Sequence, residues 1–229
     1  MTDVLAKALR GVGQTLITLG LVILLFCVYE LYFTGLETAK EQKRGKEVLL
    51  QEWAAPVPSP SAAASAAPTV RAVTLGDGIA ILRIPRLGRD YGKVVFEGVR
   101  TSDLKRGPGH YPRTAMPGEI GNFVVSGHRT TYGAPFGRLD ELVPGDLLVV
   151  ETRDRWFTYR LVGEEIVSPD DVAVILPVPR QPKARPSKAL MTLTTCHPKY
   201  SAKQRLISYA ELVATDPKAS GTVPDALKG

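Results

Sequence analysis

The stretch Thr192-Leu193-Thr194-Thr195-Cys196 closes a run of β-forming residues that begins at Ala189. Pro198 follows two residues later, and because proline has no N–H to give to a sheet, the strand is predicted to end there. Arg205 then opens a second β-rich run that continues to Val213. If the two runs pair, a guanidinium lies beside a thiol, which favours the thiolate and supplies donors for an oxyanion.

A thiolate nucleophile needs an acid/base partner, and histidine is the usual one. Among the three histidines, His128 has the most suggestive setting, because it follows a predicted strand, Asn122–Ser126, and a strand-breaking glycine. Catalytic groups often lie on loops at strand ends. A lone cysteine is more often a small buried hydrophobic residue. The three residues together nevertheless predict Cys196 as nucleophile, His128 as general acid and base, and Arg205 as the oxyanion donor.

Several short motifs surround these residues in a fixed order. They are Gly107–Pro112, Gly121–Phe123, Gly127–Phe136 and Thr192–Tyr200. Together with the later arginine, they resemble the sortases, which are membrane-anchored cysteine transpeptidases of Gram-positive bacteria. The details are most similar to class E, the actinobacterial housekeeping group. The resemblance covers roughly residues 72–213.

The fold class follows in two steps. Many short strands with turn residues between them, and little helix, predict a closed β-barrel or a sandwich. The residues alone leave both architectures open, whereas the resemblance implies an all-β, eight-stranded sortase-type barrel with short helices. We expect short helices at Thr101–Arg106 and within Ala134–Leu142, and strands that include Trp156–Val162.

A long apolar segment lies near the N-terminus. Gly11–Tyr29 contains 19 residues without a charge and is dense in Leu, Ile and Val. As a helix it would be about 28 Å long, close to the hydrocarbon thickness of a bilayer. A cleaved signal peptide fits less well, because Glu30–Phe33 offers no small-residue cleavage site. We therefore predict a single transmembrane helix over residues 11–33, with aromatic residues at its outer end.

The charges around this segment leave its orientation open, since basic residues both precede and follow it. The resemblance implies a cytoplasmic N-terminus and an extracellular catalytic domain in the cell membrane. A juxtamembrane helix over Leu36–Trp53 is expected to follow the span, and after it a Pro/Ala/Ser-rich linker, Ala54–Pro68, as a spacer that holds the domain off the membrane. The predicted domains are residues 1–10 (cytoplasmic), 11–33 (transmembrane), 34–71 (helix and linker), 72–215 (catalytic) and 216–229 (polar tail).

Composition excludes some classes of protein. The 29 Lys and Arg are scattered among 23 Asp and Glu, giving a net charge of +6, without a basic run or an interleaved aromatic platform. This indicates a mixed solvated surface with no nucleic-acid partner, and it suits an anionic membrane or cell-wall surface. With Cys27 in the apolar segment and Cys196 in the domain, no disulfide framework is possible.

Four further residues receive weaker assignments. Tyr111 is predicted to line the substrate groove and help select the second residue of the sorting signal, which is the Ala or Pro of an LAXTG-type or LPXTG-type substrate peptide. Thr195 is predicted to face the oxyanion. His110 and His197 are interpreted as non-catalytic. A zinc site built from the histidines and Cys196 lacks the usual spacing of paired ligands, so no metal is predicted.

The resemblance implies a concrete activity. The enzyme would cleave an LAXTG-type or LPXTG-type sorting signal of an exported protein between Thr and Gly, and join the product to the amine of a peptidoglycan precursor. No cofactor is implied. Two alternatives stay open: a membrane-tethered cysteine peptidase that only hydrolyses, using the same residues, and a non-catalytic extracellular β-barrel binding module.

Overall fold

The N-terminal part of the chain is one long helix. A computed structural model describes residues 2–55, 73–218 and 223–228. Helix α1 is Thr2–Ala54, and it ends shortly before Pro56, the first proline of the chain. Its first half exposes Leu, Ile and Val side chains that no other described residue covers. Within the described part of the chain, it is the one helix long and apolar enough to cross a membrane.

Eight strands close into a barrel, which confirms the predicted fold class. Their order around the barrel is β1-β2-β3-β4-β7-β8-β6-β5. The short helix α2 is Thr101–Arg106, as predicted, and 3-10 helices occur at Pro85–Leu87, Leu139–Glu141, Val172–Ile175 and Asp225–Leu227. The strands are β1 Gly78–Arg83, β2 Gly92–Glu97, β3 Gly109–His110, β4 Gly121–Ser126, β5 Leu147–Glu151, β6 Arg155–Val167, β7 Ala189–His197 and β8 Gln204–Pro217.

The alternation of side chains along β4 and β7 decides which residues face the interior. Phe123 pairs with Met191 and Val125 pairs with Leu193, and all four side chains lie in the main apolar core. Each such side chain contributes roughly 1.5–3 kcal/mol through burial. Because successive side chains on a strand point to opposite faces, the even-numbered residues of both strands, including Cys196, lie on the outer face.

The second half of α1 packs directly against the barrel. Leu49 lies in an apolar cluster with side chains of β1 and β2. Gly45 is buried against the Phe96 ring so closely that an added Cβ would lie 2.8 Å from it. The predicted juxtamembrane helix, Leu36–Trp53, thus lies against the domain. Most of the predicted linker, Ala54–Pro68, lies outside the described residues.

A single glutamine completes the hydrogen bonding of β2. Strand β3 pairs with β2 only at Phe96 and Glu97, so the preceding part of that edge has no strand partner among the described residues. The side-chain amide of Gln42 takes this place: its Oε1 accepts from Val94 N at 2.8 Å, and its Nε2 donates to Val94 O at 3.1 Å and to Arg106 O at 2.9 Å. The helix is thus held to the sheet by backbone groups as well as by apolar contact.

Two strands continue beyond the ranges given from the sequence. Strand β8 continues through Pro217, because Thr215–Pro217 pairs with Arg155–Phe157 of β6. The predicted polar tail, 216–229, therefore begins within this strand. Strand β6 continues past Val162 to Val167, because a register shift between Leu161 and Gly163 absorbs the irregularity there without breaking the ladder.

The predicted helix within Ala134–Leu142 is reduced to the 3-10 turn at Leu139–Glu141. The start of this segment cannot join a helix, since Ala134 and the two residues before it, Tyr132 and Gly133, all adopt positive φ angles, of 42°, 52° and 70°. The loop that follows β4 consequently makes a tight left-handed turn next to α1.

Candidate active site

The parallel pairing of β4 with β7 determines how far along the barrel axis the predicted acid/base and the predicted nucleophile lie. The register runs from Gly121 opposite Ala189 to Ser126 opposite Thr194. It continues one residue further, because Gly127 N donates to Thr194 O at 3.1 Å. His128 and Cys196 are the next residues on two chain segments that lie about 4.8 Å apart. The sequence places them 68 positions apart, and the register brings them to the same end of the barrel.

Antiparallel pairing of β7 with β8 adds the arginine. Cys196 lies directly opposite Arg205, which confirms the predicted pairing of the two strands. Residues directly opposite each other in an antiparallel ladder place their side chains on the same face. Arg205 Nη1 donates to the carbonyl oxygens of Ala202 and Gln204, both at 2.9 Å. No acceptor for its Nε or Nη2 is found among the described residues, and Cys196 is partly exposed next to it.

His128 lies in a half-buried position. Its ring packs against the Tyr132 ring with the centroids 4.8 Å apart and the planes at 42°. Burial lowers the pKa of His128, and the positive charge of Lys105 lowers it further. Its Nε2 is buried and has no hydrogen-bond partner among the described residues. The imidazole is therefore largely neutral at pH 7.

The loop that carries His128 is fixed at several points. Gly127 lies so close to the Phe136 ring that a Cβ at this position would be 2.6 Å from it. Phe136 N donates to His128 O at 3.1 Å, which closes the loop back onto itself. Arg129 is 3% exposed and forms an ion pair with Asp140 at 2.9 Å. The motif Gly127–Phe136 pointed to this loop, but its supporting residues Tyr132 and Asp140 were not predicted.

Tyr111 lies beside the same end of the barrel. Its phenol is half-buried, and burial raises its pKa, while the charge of Arg205 and a hydrogen bond with the Ser126 side chain act in the opposite sense. Its backbone N donates to Val124 O on β4. The structure thus places Tyr111 near Arg205 and the end of β4.

Thr195 has a different contact from the one expected. It is buried, and its Oγ1 donates to Gly127 O at 2.8 Å. The hydroxyl proton therefore joins β7 to the His128 loop and is not directed at an oxyanion. Direct contact of Thr195 with a substrate stays a prediction that concerns its backbone N–H.

The two remaining histidines differ in their settings. His110 is buried in the barrel wall, where its Nδ1 lies 2.6 Å from Glu97 Oε2 and its Nε2 lies 2.8 Å from Thr114 Oγ1. Both ring nitrogens are thus engaged far from solvent. His197 is partly exposed next to Cys196. The described residues contain no group of three or more His, Cys, Asp or Glu that could hold a metal.

Comparison with known proteins identifies the family. The sortase domain family matches residues 82–213. Sortase SrtE1 of Streptomyces coelicolor is 37% identical over 228 residues, which cover 96% of this chain and 61% of that protein. The chain thus spans about three-fifths of the length of this relative. Sortase SrtE2 of the same organism is 30% identical over 222 residues, covering 92% of this chain and 84% of that protein.

Solved structures agree with this result. Sortase E from Streptomyces avermitilis is 44% identical with a TM-score of 0.61, covering 67% of this chain and 99% of that one. Sortase E1 from Streptomyces coelicolor, solved with a tripeptide in the active site, is 40% identical with a TM-score of 0.60, covering 66% of this chain and 96% of that one. The chain therefore belongs to the sortase family of cysteine transpeptidases, and its relatives support a place in class E.

Proposed function

We propose that the chain is a membrane-anchored sortase that cleaves an LAXTG-type or LPXTG-type sorting signal between Thr and Gly and joins the product to a cell-wall precursor amine. The observation that carries the proposal is that three residues of adjacent strands lie at the same end of the barrel: His128 after β4, Cys196 on β7 and Arg205 on β8. Helix α1 anchors the protein with its N-terminus in the cytoplasm and the barrel outside. Its partners are exported proteins with a C-terminal sorting signal and the peptidoglycan precursor.

The first half of the reaction forms a thioester. The thiolate of Cys196 attacks the carbonyl carbon of the substrate Thr, and the carbonyl electrons move onto oxygen. As the Thr–Gly bond breaks, protonated His128 gives its proton to the leaving glycine amine. In the second half an amine attacks the thioester, His128 takes the proton from it, and the Cys196 thiolate leaves.

The lowered pKa of His128 has a consequence for this scheme. A neutral imidazole cannot protonate a leaving amine, so only the minority of molecules with protonated His128 and a Cys196 thiolate are ready to react. This agrees with the minority thiolate/imidazolium population that the sortase resemblance implies.

Arg205 is the proposed oxyanion donor. Its Nη1 is held by two backbone carbonyls, which fixes the plane of the guanidinium. The N–H groups on the other side of the fork are then available to the substrate oxygen. Lysine could not supply both the fixed plane and the second set of donors.

Tyr111 is the proposed selector of the second signal residue, since it lies near Arg205 beside β4. We expect Tyr111→Ala to change the ratio of kcat/KM for LAXTG and LPXTG peptides, and Tyr111→Phe to show whether the hydroxyl is responsible. Unchanged ratios in both variants would remove Tyr111 from the substrate groove.

The test of the function uses the full chain in detergent micelles or lipid nanodiscs. A fluorogenic LAXTG peptide is supplied with and without a glycine-based amine, and the products are identified by mass spectrometry. We expect ligated product with the amine, and loss of at least about a hundredfold in kcat/KM in Cys196→Ala, His128→Ala and Arg205→Ala. Cys27→Ala is the matched control, because it removes the other thiol of the chain and leaves the barrel unchanged.

Each other outcome has a distinct meaning. Cleavage without ligation would identify a cysteine peptidase. Full activity in Cys196→Ala would refute the proposed nucleophile. Absence of cleavage with both the LAXTG and LPXTG peptides, together with an unreactive Cys196 thiol, would favour the binding module.

A further inference from the structure

We propose that the loop between β7 and β8, residues 198–203, docks onto anionic lipid headgroups of the membrane that α1 crosses. The inference rests on the membrane anchoring proposed above. It assigns a lipid-binding surface to a loop that carries none of the proposed catalytic residues.

The packing of α1 fixes the orientation of the barrel. Near the apolar end of α1, Thr38 Oγ1 donates to Lys105 O at 2.7 Å, and a Cβ added to Gly35 would lie 4.0 Å from Gly133 N, in the loop after β4. Near the other end, Trp53 lines a cleft together with Met116, which precedes β4. Strand β4 therefore runs back along α1 with its C-terminal end toward the membrane.

The distance to the membrane follows from the helix rise. Gly35 is two residues beyond Phe33 and six beyond Tyr29, the two possible ends of the apolar segment. At about 1.5 Å per residue, the contact with Gly133 lies roughly 3–9 Å outside the hydrocarbon. The headgroup layer on each side of a bilayer is about 5–8 Å thick. The loop after β4 is thus level with the headgroups.

The β7–β8 loop reaches the same level. Because β7 is parallel to β4 and in register with it, both strands end on the membrane side. The chain then extends past Cys196 before it returns in β8. Tyr200 lies near the tip of this loop with a left-handed φ of 67°, and it is 84% exposed. An isolated tyrosine so exposed is typical of the membrane–water interface, where its ring meets lipid and its hydroxyl meets water.

The charge of the loop suits anionic lipid. Lys199 and Lys203 flank Tyr200, and the sequence has no acidic residue between Cys196 and Arg205. Lys203 has no ion-pair partner within the described ranges, and Lys199 forms a long ion pair with Asp140, with Nζ 3.9 Å from Oδ1. Each lysine close to an anionic surface favours the contact by roughly fivefold.

Docking of this loop would hold the catalytic face against the lipid. The nucleophile lies two residues before the loop and the oxyanion donor lies two residues after it. Substrates that remain attached to the membrane would then meet the site without leaving the headgroup layer.

The test places the full chain in lipid nanodiscs and introduces Tyr200→Trp as a depth probe. Phospholipids brominated near the carbonyl end of the acyl chains quench tryptophan at the interface, and the parent protein gives the background from its own two tryptophans. We expect additional quenching in discs that contain phosphatidylglycerol. The double variant Lys199→Ser/Lys203→Ser should lower the ratio of docked to free loop by roughly thirtyfold and remove most of that quenching.

A matched control removes the same charge at the opposite end of the barrel. Lys183→Ser/Arg185→Ser lies in the loop before β7, so it should leave the quenching unchanged. Equal quenching in discs of phosphatidylcholine alone, or no quenching beyond the parent, would overturn the proposal. Peptide ligation measured in the same discs separates this failure from failure of the proposed function. A chain that does not insert would overturn the anchoring and the docking together.

Discussion

Replacement of Gln42 by methionine tests whether the second half of α1 is part of the folded catalytic domain. Methionine keeps the length of the side chain and removes its three hydrogen bonds to Val94 and Arg106. Val94 is 2% exposed, so its N–H is left buried without a partner. An unsatisfied buried donor costs about 1–3 kcal/mol, and with the two carbonyls we expect a loss of about 2–4 kcal/mol.

For a chain of this size, each kcal/mol lowers Tm by roughly 2–4 °C, so Gln42→Met should lower Tm by about 5–15 °C. The measurement is thermal unfolding of the full chain in detergent, followed by tryptophan fluorescence. Trp53 packs beside Leu49 against the barrel, so it reports on release of the helix. The control is Lys46→Met, the same new side chain at an exposed position of α1. Equal Tm values for the two variants would refute the reasoning.

Three other predictions concern the site and its support. Lys105→Gln should raise the pKa of His128, because it removes a positive charge that now lowers it; an NMR titration of the ring that gave an unchanged or lower pKa would contradict this. Thr195→Val should reduce kcat/KM by about fivefold to tenfold through loss of its hydrogen bond to the His128 loop, with Thr195→Ser restoring it; equal activities of the two variants would argue against this role. Gly107→Ala should lower Tm, because its Cβ would lie 2.0 Å from Gln42 Nε2, and the loss should shrink in a Gln42→Ala background; additive losses would show that the two positions are not coupled.

The strands and the pairing around the predicted nucleophile could be read from the sequence. Pro198 marks the end of β7, and the two β-rich runs on either side of it pair as expected, with Cys196 opposite Arg205. The position of His128 depends on a parallel pairing between strands that are far apart in the chain. No local pattern encodes such a pairing, so the sequence indicates His128 only through its place after a predicted strand and through the resemblance of the motifs.

The docking of α1 could not be predicted, for a physical reason. The side chains that meet the barrel are at positions 38, 42, 45 and 49, which share one helical face. They are threonine, glutamine, glycine and leucine, and Trp53 continues the same face, so the large apolar side chains of the contact surface lie only at its C-terminal end. A face of this composition has no apolar stripe, and the surrounding mixed charges suggested a solvated helix.

The part played by Gln42 on β2 also bears on how the barrel behaves without its helix. A fragment that begins after the linker would present Val94 with a free N–H and a free carbonyl on an open sheet edge, next to the uncovered ring of Phe96. Open edges of this kind recruit strands from other molecules. Helix α1 thus covers an edge of the barrel that would otherwise favour self-association of the catalytic domain.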